Sequence, residues 1–243
     1  MTRAPRKLLL HGDFQRLYSG GGPRYVSAVT RFCATLISAL RAWPEHYVPV
    51  VFFCGSHVER DDPHRDGRAM VRSFIAQLLR YGTVGSGPVE FDGELRRAQE
   101  RDGGADVKSV LQAVAQGKDI KTSRLCGLLA WLVRRLPRGV TLVCLVEGVS
   151  HYETDDHEDD LLRVLGRLLG LMRDKSVTAV VKVLATSATT TDSVQAAFVT
   201  DDDDESSCLL SLAETRPTGQ GANALLFEED SDGSSDDSRV TPP

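Results

Sequence analysis

The feature that most constrains the fold of this 243-residue chain is a repeated alternation of two hydrophobic patterns. Short apolar runs, rich in β-branched residues, are typical of buried parallel strands, and longer segments of helical period separate them. This alternation predicts stacked β-α-β units and hence an α/β fold, a three-layer domain in which helices flank a parallel sheet. The predicted strands are residues 7–11, 48–54, 140–146 and 179–185.

The segments between and after the strands predict helices on the same plan. The first opens at Pro23, because proline suits the first turn of a helix. The predicted helices are residues 23–42, 67–81, 123–136 and 161–172. Residues 82–121 are polar and rich in glycine, with a weak helical period in 107–114, and this composition predicts an exposed insertion.

Charge divides the chain into a domain and a tail. Of the 34 acidic residues, 12 lie in residues 201–243, together with only two of the 29 basic residues. Such acidic, serine-rich runs cannot bury enough apolar surface to offset the entropy of ordering, so 201–243 is predicted to be a disordered tail after a domain of residues 1–200. Ser206 and Ser234 lie among acids, a pattern that acidophilic kinases favour, and are candidate phosphorylation sites. The alternative is a tail that only aids solubility.

Composition argues against several functional classes. No stretch approaches the roughly 20 apolar residues of a membrane helix. The five cysteines are scattered singly through apolar segments without a CxxC pair, which is typical of buried thiols in a reducing, cytoplasmic compartment. Basic residues are spread over helix faces and are not interleaved with aromatics, so neither nucleic acid nor membrane is predicted as a partner. A protein partner, of unknown identity, is the remaining expectation.

Three segments carry a resemblance to a known family. They read VVFFCGSHVERDDPHRDGRAMVRSFIAQLL (50–79), LPRGVTLVCLVEGVSHY (136–152) and VKVLATS (181–187). In order and spacing they resemble the second strand and helix, the Walker B strand and the Thr-Ser sensor strand of fungal NACHT-type STAND proteins, which are P-loop NTPases. The resemblance covers about half the chain. It implies a P-loop NTPase-like fold with ATP or GTP and magnesium at the carboxyl ends of the strands.

The resemblance also implies which residues would form the nucleotide site. A glycine-rich loop after the first strand would hold phosphate, the end of the Walker B strand would orient magnesium, and the sensor would meet the phosphate. The corresponding residues are Gly20, Gly21, Gly22, Glu147, Thr186 and Ser187. A flexible turn at the three glycines, and a solvent-exposed carboxylate at position 147, are the alternative interpretations.

Three departures from the family pattern indicate that this site is degenerate. The sequence after the first strand has no GxxxxGK[ST] spacing, no lysine occurs between Lys7 and Lys108, and the hydroxyl residue that would follow the lysine is absent. Glu147 replaces the Walker B aspartate, and Ala188 stands where arginine is common after Thr-Ser. Because each loss removes charge stabilisation from phosphoryl transfer, no enzymatic activity is expected.

These observations lead to a main hypothesis and its alternatives. The main one is a non-catalytic, NACHT/STAND-like scaffold or protein-interaction domain of a fungal protein. The alternative is a switch that binds ATP or GTP with magnesium but does not hydrolyse it. A third interpretation is that the chain is a fragment of a longer multidomain protein.

Two further constellations have the residue types of a chemical site. His57, His64, Asp61 and Asp62 contain metal-ligating groups, but no His-x-x-x-His or Cys spacing fixes a geometry, so no metal cofactor is predicted. Ser150, His151 and Asp155 contain the residue types of a hydrolase triad. A triad needs convergence from separate elements and an oxyanion hole, and G-x-S-x-G is absent from the sequence.

Overall fold

The computed structural model describes residues 7–12, 27–83, 104–116, 118–199 and 209–212. The strands in these ranges are β1 (Lys7–Gly12), β2 (Tyr47–Phe53), β3 (Thr141–Glu147), β4 (Val180–Ser187) and β5 (Leu209–Leu212). The α-helices are α1 (Ala28–Arg41), α2 (Gly67–Thr83), α3 (Gly104–Ala115), α4 (Thr122–Val133), α5 (Glu158–Arg173) and α6 (Ser193–Phe198). Short 3₁₀ turns follow β2 at Cys54–Ser56 and β3 at Val149–His151. None of the described helices is long and apolar enough to cross a bilayer.

All five strands form one parallel sheet in the order β2-β3-β4-β1-β5. The α/β prediction is therefore confirmed, and each of the four predicted strands is present with bounds shifted by one or two residues. The first strand lies inside the sheet, since Leu9 is in register with Ala185 of β4 on one side and with Leu209 of β5 on the other.

Successive side chains of each strand point to opposite faces of the sheet, so the hydrophobic core is divided between the two faces. One face, represented by Leu9, Val50 and Val146, packs with helices α2, α4 and α5 in the larger hydrophobic cluster. The opposite face, represented by Leu10 and Leu145, packs under α1 in a smaller cluster. The helices thus flank the sheet on both faces, as the strand pattern predicted, but most of them lie on one face.

Part of the segment expected to be an exposed insertion is packed into the core. Helix α3 lies within 82–121 and contacts α4, and Val110 and Ile120 are 2% and 6% exposed in the larger cluster. The polar residues around this helix hid the one apolar face that it buries. Residues 84–103 and 117 lie outside the described residues.

The predicted boundary of the tail also needs a correction. Strand β5 lies inside the range predicted to be disordered and pairs in parallel with β1. Its sequence, LLSL, is only four residues long and closely follows the acidic run at 201–205, so the average composition of the region concealed it. Residues 200–208 and 213–243, which include Ser206 and Ser234, lie outside the described residues.

Strand β2 lies at the edge of the sheet formed by the described strands, and two residues block its outer edge. The side-chain amide of Gln77, on α2, accepts from the backbone N–H of Val51 at 3.0 Å and donates to the Val51 carbonyl oxygen at 2.8 Å. Two positions earlier, Pro49 has no N–H to offer on that same edge. Gln77 satisfies the backbone N–H and C=O groups of Val51, and Pro49 lacks an N–H, so this edge offers few backbone groups with which another strand could pair. Gln77 belongs to the stretch RSFIAQLL (72–79), the end of the first of the three resembling segments.

Replacing Gln77 by leucine is expected to lower the free energy of unfolding by about 1–2 kcal/mol, because the hydrogen bonds of the side chain to the Val51 backbone and to the Ser73 hydroxyl are lost at similar side-chain volume. Chemical denaturation of both proteins measures the difference. Leucine at Gln112, an exposed glutamine of α3, is the matched control and should change stability by less than about 0.5 kcal/mol. Equal effects at the two positions would contradict the role of the amide at the sheet edge.

Candidate functional site

The strand registers place the carboxyl ends of the central strands side by side at one edge of the sheet. Phe53 of β2 is in register with Glu147 of β3, Val146 of β3 with Ala185 of β4, and Leu10 of β1 with Thr186. Glu147 therefore ends its strand beside Thr186. Two of the positions that the sequence assigned to a nucleotide site thus lie next to each other across the sheet.

A cleft of about 780 Å³ opens at this edge of the sheet. The connection leaving β1 leads to α1 on one face, whereas the one leaving the neighbouring strand β4 leads to α6, whose Val194 and Phe198 belong to the cluster on the other face. In open α/β sheets, ligands bind where neighbouring connections diverge in this way. The cleft is lined by Ser27, Val29, Thr30, Gly55, Ser56, Val58, Glu59, Asp61, Asp62, Glu147, Gly148, His151, Thr186, Ser187 and Ala188.

Glu147 lies at the floor of the cleft and is only 8% exposed. The Thr30 hydroxyl donates to Oε1 of Glu147 at 2.5 Å, and the Ser27 and Thr30 hydroxyl oxygens are 2.8 Å apart. Ser27 is the N-cap of α1 and accepts from the backbone N–H of Thr30. The interpretation of Glu147 as a solvent-exposed carboxylate is therefore wrong.

Ser27 and Thr30 are the residues that sequence reasoning missed. The expected spacing places a hydroxyl directly after a lysine, whereas here the first turn of α1 supplies two hydroxyls three residues apart. A Ser-x-x-Thr pair at a helix start is the usual signal of an N-cap, and it gives no indication that the second hydroxyl reaches another strand. The nearby positions Gly20, Gly21 and Gly22 lie outside the described residues.

Thr186 and Ser187 form the wall on the β4 side, and both are 1% exposed. The Thr186 hydroxyl accepts from the backbone N–H of Gly148 at 3.2 Å. The Ser187 hydroxyl donates to the carbonyl oxygen of Thr189 at 2.6 Å. Gly148 has a φ of +74°, a left-handed conformation that glycine adopts without strain, so the chain can turn sharply after β3 and meet Thr186.

His151 is the last residue of the 3₁₀ turn after β3, and its ring packs back against the start of that turn. A Cβ added at Gly148 would stand 3.0 Å from its Cδ2 atom, and one added at Gly55 would stand 3.4 Å from its Nε2 atom. Its ring thus lies against two glycines at the cleft. No hydrogen bond joins His151 to Ser150 or Asp155 in the described part of the chain, so the three residues of the hydrolase-triad alternative do not form a relay there.

Glu153, the next acidic residue after Glu147 in the sequence, has a structural partner. Its Oε1 atom accepts from the backbone N–H groups of Ser193 and Val194, at 2.7 and 3.1 Å. These are the first amides of α6, which have no partner within the helix. Glu153 therefore fastens α6 to the turn after β3, and its carboxylate is committed to that role.

Asp62, which lines the cleft, pairs with the side chain of His57, which lines a second cleft beside it. Nδ1 of His57 lies 2.9 Å from one oxygen of Asp62, and the backbone N–H of His64 donates to the other at 2.7 Å. The His64 amide, and then the His57 ring, lower the pKa of the Asp62 carboxyl below its usual value. Across the described ranges, no three His, Cys, Asp or Glu side chains converge as a metal centre requires.

The electrostatic character of the cleft is acidic. Its described lining carries the carboxyl groups of Glu59, Asp61, Asp62 and Glu147. The field of Glu147 reaches the buried thiols beneath it: burial first, and then this carboxylate, raise the pKa of Cys33 to about 12. The same two causes raise the pKa of Cys54 well above its usual value.

The second cleft, of about 680 Å³, lies beside the start of α2. Its Arg68 guanidinium bonds Asp66 at 2.9 Å and Asp119 at 2.8 Å. Two carboxylates neutralise this cation, and the second arginine in the lining, Arg72, donates to the carbonyl oxygen of Lys118 at 2.8 Å. No protein-family model matches the chain, and no curated protein matches it.

Proposed function

We propose that this chain is a NACHT/STAND-like domain with a P-loop NTPase-like fold whose nucleotide site is degenerate, and that it serves as a non-catalytic protein-interaction domain. The observation that carries the proposal is the acidic cleft at the carboxyl ends of the strands. It lies where the fold places a ligand, yet Glu147 occupies its floor and three more carboxyl groups line it. Since like charges repel at short range, this lining disfavours a polyphosphate.

The arrangement of the three resembling segments supports the family assignment. They correspond to β2 with α2, to β3 and to β4, which are consecutive neighbours in the sheet. Glu147 and Thr186 end adjacent strands, as a Walker B and sensor pair would. The fungal NACHT/STAND identity rests on this agreement and on the sequence patterns.

A thermal-shift titration with Mg²⁺ and ATP or GTP tests the proposal. A ligand that binds only the folded state stabilises it by RT ln(1 + [L]/Kd), or about 2.7 kcal/mol at 100 times Kd. The expected result is a flat response up to millimolar nucleotide and no release of phosphate. A saturable shift that Glu147→Ala abolishes and Glu45→Ala preserves would contradict it, since Glu45 is exposed and absent from the lining of the cleft.

One observation favours the nucleotide-binding switch as a second candidate. The Thr30 and Ser27 hydroxyls and the Glu147 carboxylate are oxygen donors of the kind that Mg²⁺ prefers, and they meet at the N-terminus of α1, where free amides attract anions. These oxygen ligands suit Mg²⁺, whereas the acidic rim repels a polyphosphate that lacks Mg²⁺. The switch therefore predicts a nucleotide shift that depends strictly on Mg²⁺ and occurs without hydrolysis.

A further inference from the structure

The side chain of Glu147 is nine-tenths buried, and among the described residues only one of its two carboxylate oxygens has a hydrogen-bond partner. That partner is the Thr30 hydroxyl, which donates to Oε1. Oε2 faces the cleft near Gly55, where a methyl group on the glycine would stand 3.7 Å from it. A buried carboxylate that has only a neutral donor is in an unfavourable environment, and a cation placed against Oε2 would relieve it.

The surroundings of Oε2 match one kind of cation better than others. A guanidinium has five N–H donors in one plane and needs several acceptors at different angles. The cleft provides Oε2 of Glu147 together with the exposed side chains of Ser56 and Asp61 in its lining. Arginine also carries an apolar stem, which packs well on hydrophobic walls.

The walls and the size of the cleft suit such a side chain. Val29 and Val58 line it, and Val58 is 39% exposed, which leaves apolar surface at the mouth. At about 780 Å³ the cleft is larger than one side chain requires, so the backbone that carries an arginine can approach the rim. Asp61 at the rim adds long-range attraction for a basic segment.

We propose that the cleft is a docking site for an arginine side chain presented by a partner protein, with the guanidinium bound to Oε2 of Glu147. This inference rests on the proposed function, because it names the chemistry that the interaction domain recognises. The charge complementarity of the cleft selects the occupant: a basic, arginine-bearing segment.

The test uses the full chain and calorimetric titration with two blocked pentapeptides, acetyl-Ala-Ala-Arg-Ala-Ala-amide and the same peptide with citrulline. Citrulline keeps the shape of arginine without its charge. The arginine peptide is expected to bind at least tenfold more tightly, a difference of about 1.4 kcal/mol. Raising the salt concentration should weaken its binding, since the attraction is electrostatic.

Variants test whether Glu147 binds the guanidinium, and a small-molecule probe tests whether the ligand is an arginine within a peptide or the free amino acid. Glu147→Gln should remove the preference for arginine over citrulline, whereas Glu45→Gln should preserve it. Acetyl-arginine amide should bind more weakly than the peptide. Equal binding of the two peptides, an unchanged preference in Glu147→Gln, or acetyl-arginine amide binding as tightly as the peptide would each overturn the proposal. The peptide comparison needs only the wild-type chain, so it decides the matter even if a variant fails to fold.

A Mg²⁺-nucleotide titration of the same sample separates this inference from the function on which it rests. No preference for arginine together with a flat nucleotide response overturns the arginine site and leaves the interaction domain standing. Saturable nucleotide binding with release of phosphate overturns the proposed function itself.

Discussion

Replacing Tyr152 by alanine lowers the free energy of unfolding by about 3–5 kcal/mol, the range typical of truncating a large buried aromatic side chain. Tyr152 is 0% exposed and is among the largest fully buried side chains of the domain. Its ring lies 6.1 Å from that of Phe52 on β2 and 5.6 Å from that of His157 before α5. Its hydroxyl donates to the carbonyl oxygen of His64 at 3.2 Å. One side chain thus joins the turn after β3 to three other segments.

Denaturant titration of wild type, Tyr152→Ala and Tyr152→Phe separates packing from hydrogen bonding. Tyr152→Phe keeps the ring and loses only the bond to His64, so it is expected to cost about 1 kcal/mol. Burial raises the pKa of Tyr152 well above its usual value, so the hydroxyl remains a neutral donor throughout the working pH range. A cost below about 1.5 kcal/mol for Tyr152→Ala would show that the ring packs loosely and does not hold the turn.

The same glycine-to-alanine change is expected to have opposite signs at two helix positions. Gly67 opens α2, and a Cβ there would stand 2.8 Å from the backbone carbon of Asp160 and 2.9 Å from its oxygen. Since backbone cannot move aside as a flexible side chain can, Gly67→Ala should force α2 and α5 apart. The expected loss is about 1–3 kcal/mol of unfolding free energy, the usual cost of overpacking.

Gly166 provides the matched control within α5. It is exposed, and a Cβ there meets nothing within 4 Å. Alanine removes the entropic penalty of glycine in a helix, so Gly166→Ala should raise the free energy of unfolding by about 0.5–1 kcal/mol. Thermal or chemical denaturation of the two variants gives the comparison. A stabilising Gly67→Ala would mean that α2 and α5 are not in backbone contact.

The sheet could be predicted from the sequence because its central strands are continuous apolar runs. Strand β3 shows this well, since Leu142 to Val146 are all buried and no polar residue interrupts them. The short strand β5 has no such length, and its pairing with β1 depends on a partner far along the chain. Helix α3 was concealed for a different reason, because it buries one narrow face among polar neighbours.

The candidate site could be predicted only where strand ends define it. Glu147, Thr186 and Ser187 follow apolar runs directly, so the register of a parallel sheet brings them together. Thr30 could not be found in this way, because its direction depends on the rotational phase of α1 against the sheet. Gln77 was visible as one letter of a pattern, but its partner is a backbone group 26 residues away.

The position of β1 inside the sheet has a consequence for how the protein is made. Strands β2, β3 and β4 are neighbours and follow one another along the chain, whereas β1 pairs with partners more than 170 residues later. A ribosome releases β1 long before β4, yet the place of β1 in the sheet exists only after β4 has been synthesised. Contacts of such long sequence separation slow folding, so an apolar strand must wait unpaired during synthesis. The nascent chain therefore needs chaperone protection at β1 until β4 has been synthesised.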